Sequence, residues 1–181
     1  MVKKNRGKQQ RLNIALVGIV LLAGMGVAYA LFTGLSSSTA ASGDVQTATR
    51  LVTMDGSQVT VPDPNRQATL VFSMAYWCGT CISEARALAR LGNEYGDTLR
   101  IVMVDIDPLS SPERLQDFLE AVGENNLTWT FDSDGSFSRS YNIRSLETTI
   151  IVNSRGVELY RDGYSTPYDV LRSEIEKVIG A

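Results

Sequence analysis

The sequence predicts an α/β domain, a mixed central sheet with helices on both faces, carried behind an apolar N-terminal segment. Three observations lead there. The apolar runs TLVFSM (69–74) and LRIVMV (99–104) flank a segment whose apolar residues recur every three or four positions, the pattern of a parallel βαβ unit. Two stretches, 50–61 and 148–161, place β-prone residues on either side of turn residues, as antiparallel hairpins do. Finally, residues 12 to 32 form one uncharged, apolar run ahead of everything else.

At the N-terminus, Lys3, Lys4, Arg6, Lys8 and Arg11 make a basic tail (1–11) without a single acid. Taking those five charges from the overall −3 leaves the remaining chain near −8. An acidic domain lacks the basic footprint of a nucleic-acid binder, so no nucleic-acid partner is expected. The run from Leu12 to Phe32 is long enough to cross a ~30 Å hydrocarbon core as a helix. Its basic flank predicts a single-pass anchor in the cell membrane, with a cytoplasmic N-terminus and an extracytoplasmic C-terminal domain. Ala28-Tyr29-Ala30 also reads as a signal-peptidase site, but the run exceeds the ~7–15 apolar residues usual for a signal peptide, which favours the anchor. No cysteine stands near the end of the run, which excludes a lipoprotein anchor. Residues 33–49 are small and polar and read as a flexible linker, leaving 50–181 as the folded domain.

Within that domain, Leu51-Val52-Thr53 and Val59-Thr60-Val61 flank the turn Asp55-Gly56-Ser57. After the TLVFSM strand, Ile82, Ala85, Leu88, Ala89 and Leu91 predict a helix from Cys81 to the Gly92–Gly96 region. The LRIVMV strand follows, ending near Asp105 and Asp107, which are placed to cap the next turn. Ser111, Pro112 and Glu113 supply a cap, a first-turn proline and an early acid for a helix over 112–122. LTWTF (127–131) predicts a strand. Asp132-Ser133-Asp134-Gly135 resembles the opening of a calcium loop, but its twelfth position is Ile143, so it reads as a turn before a short helix over 136–141. TTIIV (148–152) and VELYR (157–161) form the second hairpin, and a helix from Pro167 to about Ile179 closes the domain.

The chain has no histidine and two cysteines, Cys78 and Cys81, separated by Gly79 and Thr80 in YWCGTCISE. No Ser/His/Asp set and no phosphate loop can be assembled. A four-ligand structural zinc site lacks two of its ligands, and a stapling disulfide this short closes almost no loop. Cys78 ends the loop after a buried strand and Cys81 opens a helix, where the helix dipole favours a thiolate. A thiolate attacks disulfides, and a neighbour three positions on can resolve the mixed disulfide. Metal holding and inert buried thiols are the alternatives, and Gly79 and Thr80 in a loop argue for exposure.

The stretch FSMAYWCGTCISEARAL, with the DGSQVTV hairpin before it and VMVDID, FDSDGSFSRSYNI and TTIIVNSRG after it, resembles the TlpA/ResA/DsbE-like membrane-anchored, thioredoxin-fold thiol-disulfide oxidoreductases. The resemblance covers about residues 50–179. It implies a thioredoxin-like fold, with Cys78 attacking and Cys81 resolving. The redox-active disulfide would then serve without a further cofactor or metal, acting on substrate protein thiols and disulfides. Electrons would come from a membrane donor protein, for cytochrome c maturation or copper-site assembly. It places Trp77 as an aromatic packing beside the site, Glu84 as an acid that tunes the thiols, and Glu147-Thr148 in the loop facing the pair. Two positions depart from the pattern. Arg86 stands where the family often has proline, and Glu147 stands where the fold normally has a cis-proline. A cis Leu146–Glu147 bond would cost ~2.5–4 kcal/mol, so a trans bond is expected. Glu147 also creates an alternative: Cys78, Cys81 and Glu147 as three ligands for copper or zinc.

Overall fold

A computed structural model describes residues 45–180. The expected basic tail, membrane-crossing run and most of the linker lie outside the described residues, among which no helix is long and apolar enough to cross a membrane. The elements are β1 (Thr49–Thr53), β2 (Gln58–Val61), β3 (Ala68–Met74), α1 (Cys81–Tyr95), β4 (Leu99–Asp105), α2 (Pro112–Val122), β5 (Thr128–Phe131), α3 (Ser136–Ser140), β6 (Thr148–Asn153), β7 (Glu158–Arg161) and α4 (Tyr168–Ile179). The strands form one seven-stranded sheet in the order β2-β1-β5-β4-β3-β6-β7. Strands β3, β4 and β5 run parallel, and the remaining neighbours pair antiparallel.

Every residue of β3 is buried, because the strand sits inside the sheet with both faces covered. Its side chains alternate between two cores. Leu70, Phe72 and Met74 pack with α1, α2 and α4, through Leu88, Leu115, Phe118, Leu171 and Ile175. Val71 faces the other way, with Val102, Val104, Ile150 and Val152, where Phe137 of α3 stacks on Tyr141 at 4.3 Å. Helices therefore cover both faces, as expected, three on one and the short α3 on the other.

The local signals act as the sequence predicts. Ser111 Oγ accepts a hydrogen bond from the Arg114 amide at 3.4 Å, and Pro112 opens α2. Asp132 caps α3, its two carboxylate oxygens accepting from the amides of Phe137 and Ser138 at 2.9 and 2.8 Å. The Asp132–Gly135 segment is thus a turn and a helix cap. One boundary shifts: contacts begin before residue 50. Val45 bridges to Val157, and the Gln46 amide donates to Gly156 O at 2.7 Å. Gly156 has φ +81, and a Cβ there would lie 2.6 Å from Gln46 O, so only glycine permits this docking.

Candidate active site

The site forms where β3 hands over to α1, beyond the carboxyl ends of the parallel strands, the usual position for ligand chemistry in such sheets. A tight turn carries it: the Cys78 amide donates to Ala75 O at 2.8 Å and the Cys81 amide to Cys78 O at 3.2 Å. Cys78 and Cys81 are joined as a disulfide, their Cα atoms 5.4 Å apart. Gly79 and Thr80 are exposed, but the exposure expected of the cysteines beside them is not found: Cys78 is 6 % exposed and Cys81 0 %, because the turn packs both against the core. Cys78 is the partner that meets solvent at all. Thr80 provides no side-chain cap, so the first-turn amides of α1 leave its positive end beside the pair, while Thr80 Oγ1 lies 3.5 Å from Cys78 Sγ.

Two aspartates at the end of β4 hold the approach to the cysteines. Asp105 is buried and accepts from the Tyr76 amide at 2.9 Å, Ser110 Oγ at 2.5 Å and the Asp107 amide at 3.0 Å. Burial raises its carboxyl above the ordinary aspartate range. Asp107 accepts from Trp77 Nε1 at 2.7 Å and from the Leu109 amide at 2.8 Å. This bond holds the indole N–H of Trp77 at the rim beside Cys78, where the residue stays 60 % exposed.

Glu84 is also not a solvated helix charge. It lies one turn along α1 from Cys81, 1 % exposed, and its carboxylate accepts from Thr149 Oγ1 at 2.6 Å and from the Thr166 amide at 2.8 Å. Burial pushes its carboxyl up to about 7; those two hydrogen bonds act against the shift, and the charges of Asp162 and Glu147 add to it. Behind it, Asp162 Oδ2 accepts from Thr166 Oγ1 at 2.5 Å and from Tyr160 OH at 2.6 Å. None of Thr149, Asp162, Tyr160 or Thr166 is singled out by the sequence. They lie 65 or more residues from Glu84, and only strand pairing brings them together.

Glu147 closes the site from the opposite loop. The one cis peptide among the described residues is Val61–Pro62, so Leu146–Glu147 is trans as expected, with Glu147 at φ +58. The Glu147 amide, a donor that proline would lack, reaches Ser73 O at 2.8 Å. Ser73 Oγ donates to Ser145 O at 3.0 Å and accepts from the Thr148 amide at 3.2 Å, while Thr148 Oγ1 donates to Ser145 O at 2.9 Å. The loop is thereby pinned to the end of β3. Ligand atoms of Cys78, Cys81 and Glu147 lie within 4.8 Å of one another, and Glu147 Oε1 is buried without a hydrogen-bond partner. Arg86, the other departure, donates from Nε and Nη2 to Ala121 O at 2.9 and 2.5 Å, tying α1 to the C-terminus of α2.

A cysteine pair joining a strand to a helix in a sheet of this topology defines a thioredoxin-like protein. The chain belongs to the Redoxin family, whose profile matches residues 40–179. It is 30 % identical over 110 residues to "Thioredoxin-like protein YneN" of Bacillus subtilis, covering 59 % of this chain and 62 % of the relative. It is 28 % identical over 111 residues to "Mercury resistance operon ORF3" of Streptomyces lividans, covering 60 % and 58 %. The chain thus matches about three fifths of the length of these curated relatives. The crystal structure of StoA from Bacillus subtilis superposes with a TM-score of 0.63 at 19 % identity, covering 73 % of this chain and 98 % of that one, a likeness of fold.

Proposed function

We propose that the protein is an extracytoplasmic, membrane-anchored thiol-disulfide oxidoreductase that reduces disulfides in substrate proteins. The observation that carries the reading is the Cys78–Cys81 pair at the positive end of α1, with Cys81 fully buried and Cys78 retaining a 6 % exposure. In the reduced protein, Cys78 as thiolate attacks one sulfur of a substrate disulfide, forming a mixed disulfide and releasing the other substrate sulfur as a thiolate that takes up a proton. Cys81 then loses its proton and attacks Cys78 Sγ. The Cys78–Cys81 disulfide forms and the second substrate thiol leaves. Two electrons pass from the pair to the substrate; of the two protons its thiols gain, one is matched by the proton Cys81 gives up and the other comes from solvent, and a dithiol donor in the membrane restores the reduced pair.

The buried Cys81 needs a proton acceptor as it becomes the attacking thiolate. Glu84, three residues along the same helix with its carboxyl near 7, suits that task at neutral pH. The reductive direction is supported by the absence of histidine between the cysteines to stabilise their reduced form. Cytochrome c maturation and copper-site assembly are the roles the resemblance favours. The apolar run from Leu12 to Phe32 supports the anchor.

The reduction potential of the chain in thiol redox buffers containing a chelator tests this. A value near or below about −220 mV is expected, in the range of glutaredoxins and thioredoxin, whereas one near about −120 mV would make the protein an oxidant. A pair that does not cycle reversibly would remove the redox reading.

A further inference from the structure

We infer that reduction converts this pair into a metal site: Cys78 Sγ, Cys81 Sγ and a Glu147 carboxylate oxygen together hold one zinc ion, with a fourth position open. The inference rests on the reading of the two cysteines as a reducible pair and goes beyond it by assigning Glu147 as a ligand.

Three features of the site lead there. The three ligand atoms already lie within 4.8 Å of one another while the sulfurs are bonded together. Tetrahedral zinc with bonds of about 2.3 Å to sulfur and about 2.0–2.2 Å to oxygen separates its ligands by about 3.5–3.8 Å. Reduction lets the sulfurs part toward that spacing, so the carboxylate needs to close by only about 1 Å. Next, Glu147 Oε1 is buried and unpartnered, although buried carboxylate oxygens ordinarily have a donor or a cation. Finally, the loop holds Glu147 at φ +58, a conformation uncommon outside glycine, with its amide fixed on Ser73 O. The backbone is thus bound in place while the carboxylate stays free to bind.

The carboxylate decides between the thiophilic ions. Copper(I) selects soft sulfur donors, and an oxygen adds little to it, whereas zinc accepts two thiolates and a carboxylate together. The balance is simple. A dithiol reduces the disulfide with two electrons and two protons; Zn²⁺ then binds both sulfurs and the Glu147 carboxylate, displacing the two thiol protons into solvent. Because the disulfide state offers no thiolate, zinc capture depends on the redox state of the pair. A bound ion also blocks Cys78 from attacking substrate.

The full-length chain in detergent, freed of metal and reduced with a phosphine, is titrated with zinc chloride against a chromophoric chelator. Thiols are counted in the same sample. The expected result is one zinc per reduced chain, none per oxidised chain, and release of protons on binding. Cobalt(II) in place of zinc gives thiolate charge-transfer absorption and the visible bands of a tetrahedral site. Changes outside the ligand set already weaken metal sites by about 10–100-fold, so Glu147→Gln is expected to lower affinity by about tenfold or more. Glu147→Gly provides a second variant, since glycine accepts φ +58 without strain. Unchanged affinity in both variants overturns the assignment of Glu147, and equal uptake by the oxidised chain overturns the site. Full reduction without zinc uptake overturns the inference while leaving the oxidoreductase reading intact. A pair that cannot be reduced overturns both.

Discussion

Glu84 is the residue at which burial and chemistry meet. In an unfolded chain its carboxyl has the ordinary value of 4.5; in the fold it is pushed up to about 7, chiefly by burial. The folded state therefore binds this proton more tightly than the unfolded one. The resulting stability is present in full below about 4.5 and is lost as pH rises through about 7. A difference of that size corresponds to about 3 kcal/mol. Glutamine can keep both hydrogen bonds, accepting from the Thr166 amide and donating to Thr149 Oγ1, but it does not titrate. Glu84→Gln is thus expected to gain stability relative to the parent as pH rises from 4.5 to 8, measured by denaturant unfolding of the oxidised chain. A constant gap would show that Glu84 keeps its ordinary pKa. In the reduced chain, losing a nearby negative charge should lower the apparent thiol pKa values, and identical thiol titrations would remove Glu84 from the chemistry of the pair.

At the scale of elements, the end of β3 does two jobs. Its main chain runs on into the cysteine turn, while Ser73 fastens the opposite loop by binding Ser145 O and the Thr148 amide. Ser73→Ala leaves the buried Thr148 amide without that partner, while Ser145 O keeps the hydrogen bond from Thr148 Oγ1. Its expected cost is about 1–3 kcal/mol, the range for an unsatisfied buried polar group. Denaturant unfolding of the oxidised chain measures it, and a loss below about 0.5 kcal/mol, the size of a neutral surface change, would show that the loop is held by other contacts. Arg86 illustrates how a departure from the family pattern acquires its own role. A proline there would have kinked α1, whereas the arginine side chain reaches across to the carbonyl of Ala121.

At the scale of the whole molecule, charge is divided between a basic N-terminal tail and an acidic domain, with Leu12 to Phe32 between them. If that run anchors the chain as proposed, the protein expressed in a bacterium sediments with membranes, and protease added to spheroplasts digests the acidic domain. Intact mass then includes residues 1–30. A soluble protein beginning at Leu31 would instead identify a cleaved signal peptide ending at Ala30. Recovery in the cytosol would overturn both topologies.

The sequence by itself determined the order and kind of every element in the described domain, because each depends on neighbours a few residues away: the apolar runs of β3 and β4, the cap at Ser111, the turn at Asp132. It also determined the cysteine pair, whose chemistry follows from the spacing of Cys78 and Cys81. Trp77, Glu84 and Glu147 were identifiable as positions near the pair, but their surroundings were not. The tertiary structure alone decided that Trp77 stands at the rim on Asp107, and that Glu84 is buried among Thr149, Thr166 and Asp162. It likewise turned Glu147 toward the sulfurs with one oxygen unpartnered. The physical reason is one of range. Helix and strand signals repeat over a few residues, whereas burial and electrostatics are set by groups that the sheet brings together from 65 to 82 positions away.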